Sequence, residues 1–196
     1  MTKHPDLDEG TQLMLAFQQG SEKAFDELVV KYQNAAFGML RRLLGPHAMV
    51  EDLAQEAFIR VYRAKQRYQP AGKFTTFLYR ITYNLALNRL RDDKRQGVRS
   101  LPEGEDGGPL PLEDLQEPPP WARPNQDLWA DRIGKSLMCL PQNQRTALVL
   151  QHYDDLDLTE IGEILEVSPK AVKSLLHRAR ENLRELLQPY KDAETD

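Results

Sequence analysis

Three observations predict an all-α fold of two small helical domains joined by an extended Pro/Gly-rich acidic linker. Apolar residues recur at helical spacing along most of the chain, no stretch sustains the period-2 alternation of a strand, and one central segment gathers the helix-breaking residues. With 196 residues, 40% of them hydrophobic and 29% charged, the chain can build one ordinary core or two modest ones.

A short helix is expected over residues 8–19. Phe25, Leu28, Val29, Tyr32, Ala36, Leu40, Leu43 and Leu44 then form a helical stripe that stops at Gly45–Pro46, with Ser21 as its N-cap. The segments "VEDLAQEAFIRVYRAKQRY" (50–68) and "TTFLYRITYNLALNRLRDDKR" (75–95) make two more long helices, so that 8–95 reads as the first domain. Residues 96–126 hold seven of the thirteen prolines and four glycines. Prolines remove backbone donors and glycines add chain entropy, so this stretch reads as a flexible linker. Beyond it, helices are expected near 127–140, 142–153, 157–166 and 169–187, with Pro141 placed where a helix begins. Residues 127–190 form the second domain.

The formal net charge of −4 conceals an uneven distribution. Residues 11–95 carry 14 basic and 8 acidic groups, whereas 96–127 carry 2 and 7. The local field of the basic part can therefore attract a polyanion that the total would not suggest. No apolar run reaches the roughly 18 residues of a membrane span. The opening "MTKHPDLDEG" lacks the apolar stretch of a secretory signal, so a cytoplasmic protein without membrane insertion is expected. The single cysteine, Cys139, lies in an apolar pattern and is expected to pack in the core. Four scattered histidines without HExxH pairing, and no acidic triad, predict no metal, no cofactor and no enzymatic site.

The most specific signal lies near the C-terminus. "DLTEIGEIL" opens with Asp157 and Glu160 at capping-box spacing, and Ile161, Ile164 and Leu165 supply a buried face. Glu166–Val167 makes a short turn, Ser168 caps the next helix and Pro169 occupies its first position. With Gly162 at the close approach, the pair reads as a helix-turn-helix. On the second helix Val172, Leu175, Leu176, Ala179, Leu183, Leu186 and Leu187 fall within an arc of about 120°. Lys170, Lys173, Ser174, His177 and Arg178 occupy the opposite side, suited to phosphates and base edges in a major groove. Glu181 shares that side but lies further along the helix.

In this arrangement "LPQNQRTALVLQHYDDLDLTEIGEILEVSPKAVKSLLHRARENLRELL" (140–187) resembles region 4 of bacterial sigma-70-type sigma factors of the extracytoplasmic-function (ECF) group. "FDELVVKYQNAAFGMLRRLLG", "EDLAQEAFIRVYRA" and "FTTFLYRITYNLALNRLRDDKR" are similar to region 2 of the same group. The resemblance implies a protein that binds RNA polymerase core enzyme, directs it to promoters and opens the duplex. The C-terminal domain would read the −35 element as duplex and the N-terminal domain the −10 element as separated strand. One departure is Leu175, where the family often carries a basic residue; on the helical wheel it falls at the buried edge.

Within the N-terminal domain, Phe77, Leu78, Ile81 and Leu85 make a core stripe. Beside it Arg80, Asn84, Asn88 and Arg91 line a polar strip whose amides and guanidinium groups suit base edges and phosphates. The loop "YQPAGKF" (68–74) sets Lys73 between the aromatic residues Tyr68 and Phe74, and single strands bind to positive grooves with aromatic platforms. By resemblance the loop would hold an extruded −10 base near Asn84 and Asn88, although spacing alone makes Phe74 and Phe77 core residues. Tyr79 and Tyr83 lie off the core stripe and face a neighbouring helix. On the helix from 50, the polar side with Asp52, Gln55, Glu56 and Arg60 reads as solvated by itself. The resemblance instead docks it on the clamp helices of the polymerase's largest subunit. Many relatives are also sequestered by an anti-sigma factor. Two other readings remain: a one-component regulator that binds duplex DNA unaided, and a DNA-processing enzyme, for which no nucleophile or metal cluster is evident.

Overall fold

The computed structural model describes residues 7–47, 49–95, 128–153 and 156–192. The linker expected at 96–126 lies outside these residues. Among those described there is no strand. The elements are α1 (Glu9–Gln18), α2 (Glu22–Leu44), α3 (Val50–Arg63), a 3-10 turn (Lys65–Arg67), α4 (Phe74–Arg95), α5 (Leu128–Met138), α6 (Gln142–Tyr153), α7 (Leu158–Leu165) and α8 (Pro169–Asp192). The all-α expectation holds, and two helix ends differ from it by more than two residues. The helix expected over 50–68 ends at Arg63 and tightens into the 3-10 turn, and the last helix runs five residues past 187.

Local chemistry accounts for the helix ends. Ser21 caps α2 by accepting from the Ala24 N–H at 3.3 Å. Asp8 caps α1 by accepting from the Thr11 N–H at 3.2 Å, and its second oxygen accepts from the Phe74 N–H, also at 3.2 Å. One carboxylate thus satisfies donors at the N-termini of two helices, and the loop before α4 is tied to the start of α1.

The first core is made by α1–α4 around Met14, Phe17, Leu28, Phe58, Val61, Phe74, Leu78 and Leu85. A small C-terminal core joins Leu137, Cys139 and Leu140 to Ala179 and Leu186 of α8. Burial pushes the Cys139 thiol above its ordinary value, as the packing role requires. The third core is continuous across both halves of the chain. Met39, Leu40, Leu43, Tyr79, Tyr83 and Ala86 of α2 and α4 meet Ala147, Leu150, Ile161, Ile164, Val172 and Leu176 of α6–α8. Tyr79 and Tyr83 therefore face a neighbouring element, as expected, and that element belongs to the C-terminal half.

Candidate nucleic-acid interface

The helix-turn-helix is built as its sequence dictates. Asp157 accepts from the N–H groups of Thr159 and Glu160 at 2.7 and 2.9 Å, while Glu160 Oε2 accepts from the Asp157 N–H at 3.0 Å. Those two backbone donors, Glu160 first, hold the Asp157 carboxyl below its ordinary range. Helix α7 ends at Glu166 in the left-handed region, φ 57°, and the Val167 N–H donates back to the Gly162 carbonyl at 3.0 Å. A Cβ on Gly162 would stand 2.7 Å from the Val167 carbonyl oxygen, so the turn closes only over glycine. Ser168 then caps α8, accepting from the Ala171 N–H at 3.2 Å, and Pro169 needs no donor at the first position.

This frame sets the outer face of α8. Val172, Leu176, Ala179 and Leu186 are buried, and Leu175 is half-buried against the shared core. Lys170, Lys173, Ser174, His177 and Arg178 are all exposed on the other side. Ser174 donates to its own helix at the Lys170 carbonyl, 3.2 Å, and His177 stands 3.4 Å from Glu181. Leu175 projects inward, which separates it from the five polar residues that could read DNA.

Helix α4 has three faces. Phe74, Leu78 and Leu85 enter the first core, Tyr79, Tyr83 and Ala86 enter the shared core, and Arg80, Asn84, Asn88 and Arg91 are exposed. The polar strip thus forms as its spacing predicts. The aromatic platforms do not. Phe74 is fully buried and Tyr68 is 6% exposed, with its hydroxyl 3.4 Å from Thr11 Oγ1. The expectation that these two rings contact DNA is corrected: each is used by the hydrophobic core and shapes the loop from beneath. Lys73 is exposed, and a depression of about 60 Å³ beside it is lined by Tyr68, Gln69, Phe77, Arg80 and, from α7, Glu163. The Lys73 ammonium lies 2.9 Å from Glu160 Oε1, and that hydrogen bond keeps it protonated above its ordinary 10.5.

On α3, Asp52 and Gln55 are exposed, and Glu56 and Arg60 pair at 2.9 Å, one helical turn apart. Sequence reasoning missed what lies beside them. A groove of about 580 Å³ runs between α2 and α3, lined by Phe25, Val29, Phe37, Gln55, Ile59 and Tyr62. Ile59 and Tyr62 are 44% and 46% exposed, unusual for large apolar side chains three residues apart on one helix. That spacing, outside the core stripe of α3, was the available signal. Among the described residues no group of His, Cys, Asp and Glu is placed to hold a metal, and no helix is long and apolar enough to cross a membrane.

Comparison with known proteins matches two family models to the chain. Residues 28–96 match the family model of sigma-70 region 2, and residues 130–183 that of sigma-70 region 4. The chain is 34% identical over 186 residues to an RNA polymerase sigma-H factor of Pseudomonas aeruginosa, covering 93% of this chain and 95% of that one. It is 35% identical over 182 residues to the ECF RNA polymerase sigma factor SigW of Bacillus subtilis, covering 87% and 92%. In fold it is similar to CnrH, solved in complex with the cytosolic domain of CnrY, with TM-score 0.66, 23% identity and coverage of 93% and 99%. It is also similar to the sigma factor RpoE of Bartonella quintana, solved with the anti-sigma factor NepR, with TM-score 0.66, 20% identity and coverage of 85% and 98%. Matches of such length to sigma factors leave the one-component regulator without support. With both regions present in order and relatives aligned over nearly their whole length, the chain belongs to the sigma-70 family of RNA polymerase sigma factors, in its ECF group.

Proposed function

We propose that this chain binds core RNA polymerase through α3, reads the −35 element as duplex through α8, and holds the separated −10 strand along α4. The observation that carries the reading is the pair of exposed polar faces on different domains. Lys170, Lys173, Ser174, His177 and Arg178 form a helix face that fits a major groove. Arg80, Asn84, Asn88 and Arg91, with Lys73 at the end of the loop, form a strip of amides between cations. Such a strip suits unpaired bases flanked by phosphates. Strand opening then draws on binding energy, with no catalytic step by the chain itself.

The division of labour follows the sequence boundaries: 8–95 for core binding and melting, 127–190 for the −35 element, and 96–126 as the tether. Asp52, Gln55, Glu56 and Arg60 offer charge and hydrogen bonds to the clamp helices of the polymerase's largest subunit. The groove beside them, with Ile59 and Tyr62 exposed, offers an apolar seat for a helix. The same groove is open to an anti-sigma factor, which would compete with the polymerase for it. The protein works where polymerase and chromosome are, in the cytoplasm. Run-off transcription with purified core polymerase on a library of promoter fragments tests the reading. Transcripts that depend on the chain are expected. No transcript from any fragment, together with failure to co-purify with core, would overturn it.

A further inference from the structure

Helix α1 precedes residues 28–96, the part of the chain that matches region 2. Its N-cap Asp8 and its side chains Thr11 and Gln18 converge on one segment, the chain between α3 and α4. Thr11, Met14 and Gln18 share one face by helical spacing, and Met14 is fully buried in the first core. The Gln18 side-chain amide donates to the carbonyls of Lys65 and Tyr68, at 3.0 and 3.1 Å. Asp8 Oδ2 accepts from the Phe74 N–H at 3.2 Å, while Oδ1 caps α1 itself. Thr11 is fully buried and donates to Asp8; its hydroxyl oxygen lies 3.4 Å from both the Gly72 carbonyl oxygen and the Tyr68 hydroxyl.

Close packing fixes the same placement. A Cβ on Gly10 would stand 2.5 Å from the Tyr32 hydroxyl and 2.8 Å from Phe74 Cβ, so the backbone of α1 rests directly on the first residue of α4. An element that served the core alone would need only apolar side chains. Here polar groups are buried and aimed at loop main chain, an arrangement that specifies one loop geometry. The loop is thus tied from its inner side, while residues 69–73 on its outer side are exposed, as are Arg80, Asn84, Asn88 and Arg91.

We propose that α1 is the template of the strand-binding loop, with Asp8, Thr11 and Gln18 as positioning residues that hold backbone 65–74 in the shape a separated strand meets. The proposal rests on the reading of α4 and its loop as the −10 strand site. Ordering a free loop at the moment of binding costs affinity, whereas a loop already tied binds without that cost. A loop fastened only part of the time binds strand in proportion to that fraction.

The test uses holoenzyme assembled with purified core, and a fluorescein-labelled promoter fragment from the run-off library, premelted by mismatches across −10. Gln18→Met keeps the length and helix preference of the side chain but has no donor. Asp8→Asn still caps α1, yet its single carbonyl oxygen cannot accept on both sides. Each variant should bind the premelted fragment about three- to tenfold more weakly, the scale of one hydrogen bond, with unchanged binding to a duplex that ends upstream of −10. In the free chain, amide hydrogen exchange should quicken over 65–74 and keep the parent rate over α2 and over α4 from Leu78 onward. Exchange that quickens across all of α1–α4 would mark general loosening and overturn the template. So would parent-like strand affinity in both variants while Asn84→Ala weakens it. If Asn84→Ala also binds as the parent does, the reading of α4 as the strand site falls, and the template with it.

Discussion

Replacing Gly162 by alanine sets two physical effects against each other with opposite signs. Intrinsic helix preference favours alanine over glycine by about 1 kcal/mol in a helix interior. The new Cβ, however, would stand 2.7 Å from the Val167 carbonyl oxygen. That oxygen belongs to backbone held on both sides, by the Val167 N–H bond to Gly162 and by the Ser168 cap of α8. Overpacking costs about 1–3 kcal/mol. Loss of the Val167 bond adds about 1 kcal/mol. The net expectation is a loss of about 1–3 kcal/mol, which at an m-value near 2 kcal/mol/M lowers the urea midpoint by about 1 M. Gly38 of α2 is the control, because a Cβ there meets only the tip of the Arg42 side chain, at 3.0 Å. Gly38→Ala should therefore raise stability by up to about 1 kcal/mol. Equilibrium urea unfolding of both variants, with unchanged slopes, measures the contrast. If Gly162→Ala is as stable as the parent or more so, the close approach of α7 to the turn is not what requires glycine.

Three further outcomes follow from the same geometry. Lys173→Ala and Arg178→Ala should each weaken −35-dependent binding across promoter sequences and reduce the salt slope of holoenzyme binding by about 1, as loss of a phosphate contact does. Asn84→Ala should leave duplex engagement intact and slow opening, read as delayed permanganate reactivity of −10 thymines; equal effects on both steps would contradict the separation of roles. Asp157 has a folded pKa below its ordinary 3.8, so its cap is fully present at neutral pH and is lost as pH falls through the folded value. Asp157→Asn, which keeps an acceptor but cannot titrate, should flatten that acid limb in a thermal-melt series.

The helix-turn-helix was legible in the sequence because its determinants are local. Asp157 and Glu160 find each other within one turn, Ser168 and Pro169 set a helix start, and the faces of α8 follow from a fixed rotation per residue. The end of α3 was not, because Ala64, Lys65, Gln66 and Arg67 are all good helix formers, while the carbonyls of Lys65 and Tyr68 accept from the distant Gln18 side chain of α1. Tyr68 and Phe74 were open to either role, since an aromatic beside a lysine serves a core or a base equally well in sequence. Their near-complete burial decided it. Tyr79 and Tyr83 showed that α4 had a second neighbour, but periodicity reports the direction of a face and not what lies opposite. The seam with α6 and α7 joins residues about sixty to ninety positions apart, beyond the reach of any local pattern.

The divided carboxylate of Glu160 also bears on how such a chain can change by descent. A Glu codon becomes a Gln codon by one base substitution, and that exchange keeps the cap of α7 while removing the charge opposite Lys73. Substitution by Lys removes both, and Asp shortens the reach to each. Position 160 therefore offers drift a single inexpensive step by which the helix-turn-helix stays folded while the contact between the two halves is weakened.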